Sequence, residues 1–361
     1  MSTVLHMSEM LQDLESLVRC ESPSDDLDSC KKVIDLANEI ARRVLGKSGK
    51  VREHNGRPLF WWGDQNPKIL LLTHLDTVWP IGSFDPQWSI EGDMARGPGI
   101  FDMKAGFIQA LYAMREINGS VALLATTDEE IGSNASKDLI QNLAKSAEAV
   151  LVFEASLDGK VKTGRKGSAM YQIKVHGKAA HAGLEPEKGI NATLEIAHQI
   201  LALQKLASNE HGTTVVPTIL KSGTTNNTVP DFAILEIDVR SFNQSELERV
   251  DRAIKSLQVN ESGAKLEITG GIHRPVLEES SAKELYEIAE RVAEQIGMAP
   301  LGSAKVGGVS DGNFAAAVGA KVLDGLGAIG DGAHSRSEWI SIKGLQERTK
   351  LVHAFIKELL K

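Results

Sequence analysis

The apolar positions of this chain fall into two styles. Leu11, Leu14, Leu17 and Val18 recur at helical spacing, and Glu21-Ser22-Pro23-Ser24 then breaks the run with a proline turn. Val33, Leu36, Ile40 and Val44 predict a second amphipathic helix over residues 28–45, and residues 50–63 predict short strands. Ile69-Leu70-Leu71-Leu72 is different: an unbroken apolar run that suits a strand buried on both faces, ending in Thr73-His74-Leu75-Asp76-Thr77. Helices are predicted over 103–117 and 136–146, and two more buried strands over 121–126 and 149–153. Strand and helix alternate, the pattern of a parallel sheet covered on both faces.

Past Gly167 the style changes. Ala169, Tyr171, Ile173 and Val175 alternate with polar neighbours, as do Ala233, Leu235, Ile237 and Val239, so these strands have one wet face and read as antiparallel. Between them lie an apolar-faced helix (Ile190, Leu194, Ala197, Leu201), a strand over 214–220, a helix over 245–257 and a strand over 265–269. That order, βαββαβ, describes a small ferredoxin-like α+β unit inserted in the α/β domain. Long helices over 281–296 and 341–360 and a short strand over 321–323 then resume the first style. The expected division is a discontinuous domain of residues 1–167 and 272–361, with 168–271 as the insertion.

Composition narrows the function. At 361 residues the chain exceeds one ordinary domain, and 42% hydrophobic with 24% charged residues fits a globular protein. A net charge of -8 leaves no basic excess to neutralise phosphates, which argues against nucleic-acid and anionic-membrane partners and for small-molecule chemistry. Two cysteines, Cys20 and Cys30, make neither a disulfide framework nor a structural zinc site. The first 26 residues carry Glu9, Asp13 and Glu15 among leucines, unlike a signal peptide, and no window reaches transmembrane length; the expectation is a cytoplasmic protein.

The chemistry gathers where the buried strands end. In an open α/β sheet, ligands bind outside the carboxyl ends of the strands, and the two-residue period of extended chain sets His74 and Asp76 on one side. Asp102 sits in the glycine-rich run Gly97 to Gly106, just ahead of a helix, where an N-cap and a metal ligand are both open readings. Thr127-Asp128-Glu129-Glu130 concentrates three carboxylates after the second strand, a charge that a cation would relieve. Glu154 ends the third strand in apolar surroundings, and His334 stands in a glycine-rich loop over 325–337. Two imidazoles and three carboxylates, without thiolates, suit zinc, cobalt or manganese in an open site. Five ligands exceed what one catalytic zinc takes, and a pair of metals about 3.5 to 4 Å apart, sharing one carboxylate, would use them all.

On these motifs the chain resembles the M20 family of metallopeptidases, in particular its carboxypeptidase G2-like (glutamate carboxypeptidase) branch. Thr73 to Thr77, Gly97 to Gly106, Thr127 to Gly132, Phe153-Glu154, Gly307 to Asn313 and the His334 loop occur in family order over nearly the whole chain. The resemblance implies a zinc-peptidase catalytic domain with a lid and dimerisation insertion, and two zinc ions per subunit, for which cobalt or manganese can substitute. It implies that His74 and Glu154 hold one metal, Glu130 and His334 the other, and Asp102 both, with Asp76 orienting His74 and Glu129 as the general base. The peptide bond after the bridging aspartate, here Asp102-Met103, is cis in the family, and Met103 stands where the family often has a further aspartate. In the insertion, His181 of Gly177-Lys178-Ala179-Ala180-His181-Ala182-Gly183 matches an oxyanion-binding histidine that acts across a homodimer interface. Asn227 of Asn227-Thr228-Val229-Pro230 matches a substrate-binding asparagine, Arg274 an arginine that grips a substrate α-carboxylate, and Gly308 lies in a pocket-lining loop. The implied activity is cleavage of the amide bond to a C-terminal amino acid, whether acidic or not, in a peptide or N-acyl compound. The alternative is an N-acyl-amino-acid deacylase of the acetylornithine deacetylase, desuccinylase or aminoacylase type, and a third reading is a catalytically inactive small-molecule binder.

Overall fold

A six-stranded sheet carries the first style of sequence. In the computed structural model, which describes residues 7–361, its strands lie in the order Lys50–His54, Arg57–Gly63, Val121–Thr126, Ile69–His74, Ala149–Val152 and Val322–Leu323. Residues 1–6, the start of the segment read above against a signal peptide, lie outside the described residues. The last four strands are parallel, with His74 beside Thr126, Leu72 beside Val152 and Leu323 beside Leu151, so their carboxyl ends line one edge. Helices cover both faces. Ile69 and Leu71 join a large buried cluster with Leu14 and Leu17 of the Met7–Arg19 helix, Val33 and Ile34 of Leu27–Leu45, Phe107 and Leu111 of Ala105–Ala113, and Phe355 of Ile342–Leu359. Leu70, Leu72, Val150 and Val152 are equally buried and point the other way, where the Lys137–Ser146 and Asp311–Ala316 helices pack.

The helix expected over 103–117 is shorter, Ala105–Ala113. Asp102 and Met103 have non-helical backbone angles, and the Ile100–Lys104 segment makes an irregular turn that redirects the chain before the helix starts. Gly99 has a φ of 66°, and a Cβ there would meet Thr77 Cγ2 at 2.3 Å, so the turn needs glycine. A four-stranded sheet formed by Gly330–Asp331, Trp339–Ser341, Met94–Arg96 and Ser89–Glu91 escapes the sequence pattern, because strands of two or three residues show no alternation. Its pairing of Trp339 with Arg96 sets the Asp102 loop beside the His334 loop.

The chain divides into two units. One comprises Met1–Gly164, Glu279–Val306 and Ser310–Lys361; the other comprises Arg165–Glu278 and Gly307–Val309. Where the sequence reading set the boundaries at 168 and 271, packing sets them at Arg165 and Glu278, and the Arg165 guanidinium ties in the carbonyls of Gly308 at 3.3 Å and Val309 at 3.1 Å. The second unit is an antiparallel sheet in the order Thr214–Ser222, Phe232–Ser241, Gly167–His176 and Lys265–Arg274. With helices Ala192–Gln204 and Gln244–Lys255 this is the ferredoxin-like order, each crossover skipping one strand. The helices meet the buried face of the sheet through Ile196, Leu203, Leu247, Val250 and Ile254. The other apolar stripe of the first helix, Leu194, Ala197 and Leu201, stays exposed, as does most of the Thr214–Ser222 edge strand.

Candidate metal centre and active site

Each strand of the parallel edge delivers one piece. Ile69–His74 ends in His74, Val121–Thr126 runs on into Glu129 and Glu130, and Ala149–Val152 into Phe153 and Glu154. His74 is 1% exposed, and its Nε2 faces Asp102 Oδ1 at 3.2 Å and Glu154 Oε1 at 3.7 Å. Asp102 turns its other oxygen, Oδ2, to His334 Nε2 at 3.5 Å, and His334 Nε2 lies 3.1 Å from Glu130 Oε2. Ligand atoms of His74, Asp102 and Glu130 all lie within 4.8 Å of one another, as do those of His74, Glu129 and Glu154. One carboxylate is therefore shared between two donor groups, His74 with Glu154 on one side and His334 with Glu130 on the other. The Asp102–Met103 peptide is cis.

The supports are as specific as the donors. Beside the other ring nitrogen of His74, Nδ1, stand the Asp76 carbonyl at 3.1 Å and Asp76 Oδ1 at 3.4 Å, which leaves Nε2 as the face toward Asp102. Asp76, fully buried, also accepts the backbone N–H of Glu129 at 3.3 Å and of Glu130 at 3.1 Å, and the Ser24 hydroxyl at 2.7 Å. One carboxylate thus fixes an imidazole and the turn that carries two glutamates. Sequence reasoning gave Asp76 only the first task and took Ser22-Pro23-Ser24 for a helix breaker; the Ser22 hydroxyl donates to the Leu75 carbonyl, and Pro23 bridges Thr77.

Glu338 was missed altogether. It is buried and accepts four N–H groups: Phe101 at 2.8 Å and Asp102 at 3.1 Å on Oε1, and Gly99 and the Trp79 indole, both at 3.1 Å, on Oε2. No local signal marked it: Glu338 precedes the apolar pair Trp339-Ile340 and does not end an apolar strand as Glu154 does. Burial pushes the Glu338 carboxyl up to about 7 although four donors favour its ionised form. Lys104, equally buried, anchors the same loop by donating to the carbonyls of Leu17 and Cys20, each at 2.9 Å.

The electrostatics ask for positive charge. Burial works against a charged His74, but the carboxylates of Asp102 and Asp76 outweigh it and push the imidazole well above its ordinary range. Asp102 and Glu130 hold His334 up at about 10. Asp102 itself is driven far down by the two imidazoles in spite of its burial, whereas burial raises Glu130. A cluster that would keep two imidazoles protonated would equally favour divalent cations in their place. The donors, imidazole nitrogen and carboxylate oxygen without sulfur, fit zinc, cobalt or manganese.

In the second unit, His181 and Asn227 lie on adjoining exposed loops, joined by the N–H of Ala182 on the Asn227 carbonyl at 2.8 Å and a bridge between His181 and Thr228. His181 Nδ1 accepts the backbone N–H groups of Gly183 and Leu184, both at 3.1 Å. Its hydrogen must then sit on Nε2, which makes that nitrogen a donor. Arg274 is 2% exposed, paired with Ser168 at the end of its strand, and Gly308 is held by Arg165.

Comparison with known proteins places the chain in a family. The sequence profile described as "Peptidase family M20/M25/M40" matches residues 70–358. The chain is 32% identical to carboxypeptidase G2 of Pseudomonas sp. (strain RS-16), over 97% of this chain and 89% of that one. It is 26% identical to succinyl-diaminopimelate desuccinylase of Thioalkalivibrio sulfidiphilus, over 98% of this chain and 100% of that one. Among solved structures, aminopeptidase PepT from Bacillus cereus superposes with a TM-score of 0.81 at 22% identity, covering 99% of each chain. The M20 family metallo-carboxypeptidase Sso-CP2 from Sulfolobus solfataricus superposes with a TM-score of 0.76 at 19% identity, covering 97% of this chain and 99% of that one. The chain belongs to peptidase family M20/M25/M40 and is a metallohydrolase of that family.

Proposed function

We propose that this protein is a di-zinc exopeptidase that releases a C-terminal amino acid, acidic ones among them, from a small peptide. The observation that carries the reading is Asp102, whose two oxygens face two separate imidazole–carboxylate pairs. His74 and Glu154 would hold one ion, His334 and Glu130 the other, and Asp102 both. When bound, the ions supply Lewis acidity at a scissile carbonyl and lower the pKa of water. Glu129, held by Asp76 through its backbone N–H, takes the proton of the attacking water and returns it to the leaving nitrogen. His181 donates from Nε2 to the oxygen on which negative charge develops, and Asn227 orients the substrate beside it. Arg274 takes the α-carboxylate, for which a guanidinium is the matching fork, and Gly308 lines the pocket.

The similarity to carboxypeptidase G2, the higher of the two identities quoted, supports this substrate class. The similarity to a desuccinylase keeps N-acyl-amino-acid hydrolysis as the second reading, since both reactions leave an amino acid. Metal-loaded enzyme assayed on folyl-glutamate, Xaa-Glu dipeptides and N-acyl amino acids separates them; turnover of the N-acyl compounds alone defeats the carboxypeptidase reading. Leu194, Ala197, Leu201 and the Thr214–Ser222 strand, apolar or edge surface left exposed, suit a homodimer interface through the second unit. Free Cys20 and Cys30 suit a reducing, cytoplasmic setting, and among the described residues no helix is long and apolar enough to cross a membrane.

A further inference from the structure

Residues 20–26, between the Met7–Arg19 and Leu27–Leu45 helices, brace the parallel edge, although none of the proposed metal ligands comes from them. Pro23 bridges Thr77, the Thr77 N–H reaches the Ser22 carbonyl at 2.9 Å, and the Ser24 N–H returns to the Thr77 carbonyl at 3.2 Å. Lys104 Nζ, two residues past Asp102, donates to the Cys20 carbonyl at 2.9 Å. The segment thus ties the strand end that bears His74 to the loop that bears Asp102. Ser24, 5% exposed, also enters the site with its side chain: its hydroxyl donates to Asp76 Oδ2 at 2.7 Å rather than to the Thr77 carbonyl at 3.5 Å. The other contacts of that carboxylate named above are longer. The Glu130 N–H lies 3.1 Å from Oδ2, and the Glu129 N–H and His74 Nδ1 lie 3.3 and 3.4 Å from Oδ1. The terminal torsion of an aspartate has only broad wells, so the plane of the carboxylate is set by the bonds its oxygens make. The Ser24 hydroxyl makes the shortest of these, from a backbone that is itself pinned to Thr77.

We propose that Ser24 is a positioning residue of the metal centre: by holding Asp76 Oδ2 it fixes the plane of that carboxylate, and through it aims His74 and Glu130, which two different strands deliver, at the ions. The inference rests on the di-zinc reading given above. A ligand that is not held from behind has to be ordered when the ion binds, and partners of this kind are worth a good part of the affinity. Without the hydroxyl, Oδ2 keeps only the Glu130 N–H among the contacts described, and the carboxylate is free to turn away from His74 Nδ1. One oxygen shared by Ser24 and the Glu130 N–H links the two proposed ions, so the loss falls on both.

Zinc affinity of the full-length protein, measured after chelation by competition with a chromophoric chelator, tests this, with the Tm of each metal-free protein recorded alongside. Ser24→Ala is expected to weaken zinc by about tenfold or more. Ser24→Cys, which keeps the shape and exchanges the hydroxyl for a weak donor, should fall the same way, and Ser24→Thr, which keeps the hydroxyl, should restore the affinity. Ser22→Ala is the control for the segment's packing: it removes another buried hydroxyl, one that bonds the Leu75 carbonyl instead of Asp76, and should lower Tm while leaving zinc affinity at the wild-type level. Unchanged zinc affinity in Ser24→Ala or Ser24→Cys, no recovery in Ser24→Thr, or an equal loss in Ser22→Ala would each overturn the proposal. A wild-type protein that holds no zinc overturns the di-zinc reading as well, whereas a zinc-binding wild type matched by Ser24→Ala overturns this inference alone.

Discussion

At the scale of single residues, the site rests on carboxylates with different tasks. Glu129 lies among the donors yet is proposed to move a proton, so Glu129→Gln should cut hydrolysis by about 10²- to 10⁴-fold while metal content, read by atomic absorption, stays at the wild-type level. Turnover near the wild-type rate in that variant removes the base assignment. Glu338 is the opposite case. It touches no proposed substrate atom, yet it accepts the N–H groups of Gly99, Phe101 and Asp102. Glu338→Leu leaves those buried donors unpaired, at a cost of about 1–3 kcal/mol each, and should lower both Tm and metal affinity; an unchanged metal titration would show that the Asp102 loop holds itself. His74, Asp102, Glu130, Glu154 and His334 were legible in the sequence because each breaks the chemistry of its surroundings: a charge or an imidazole directly after an apolar strand or inside a glycine run. Glu338, Lys104 and Ser24 were not, because they act by bonding backbone groups far away in sequence, and nothing local marks such a partner.

At the scale of elements, long periodic segments were readable and short ones were not. The run Ile69 to Leu72 announces a strand buried on both faces, and the alternation at Ala169 to Val175 a strand with one wet face; both are found. The two- and three-residue strands that set Asp102 beside His334 carry too few residues to show a period. Helix Ala192–Gln204 shows a subtler limit. Its apolar stripe Leu194, Ala197, Leu201 is exposed, while Glu195 and Gln199 are buried, so the polar side chains carry part of the packing. Glu195 accepts the backbone N–H groups of Asn260 at 2.9 Å and Glu261 at 2.6 Å. Burial alone would raise its carboxyl, but the Glu261 N–H, the Gln199 amide and the Asn260 N–H outweigh it and hold it below the usual range. A carboxyl depressed in the folded state stabilises above its unfolded value of 4.5 and loses that contribution as pH falls through the lower folded one. Acid unfolding followed by circular dichroism should therefore begin at higher pH in the wild type than in Glu195→Gln, after allowance for the variant's lower stability at neutral pH. Identical acid slopes would leave Glu195 without a part in it.

At the scale of the whole molecule, two measurements bear on the assembly. Chelation should abolish hydrolysis, and zinc or cobalt should restore it while raising Tm, because ions that bind only the folded state stabilise it. A chelated enzyme that keeps its rate would end the metal account. For the proposed dimer, Leu201→Asp and Ile219→Asp place charge on apolar surface that is exposed in one chain, and should shift light-scattering mass toward the monomer. A mass that is unchanged by both would move the interface elsewhere.

The order in which the donors occur along the chain has a consequence for biosynthesis. His74, Asp102, Glu130 and Glu154 are all translated before the Arg165–Glu278 segment begins, and His334 comes only after that segment is complete. A ribosome paused within the insertion therefore exposes a nascent chain able to gather one imidazole and its carboxylates but not the other imidazole. Loading of both proposed ions would have to wait until the residues around His334 are made, so a fragment released within the insertion would lack part of the proposed site.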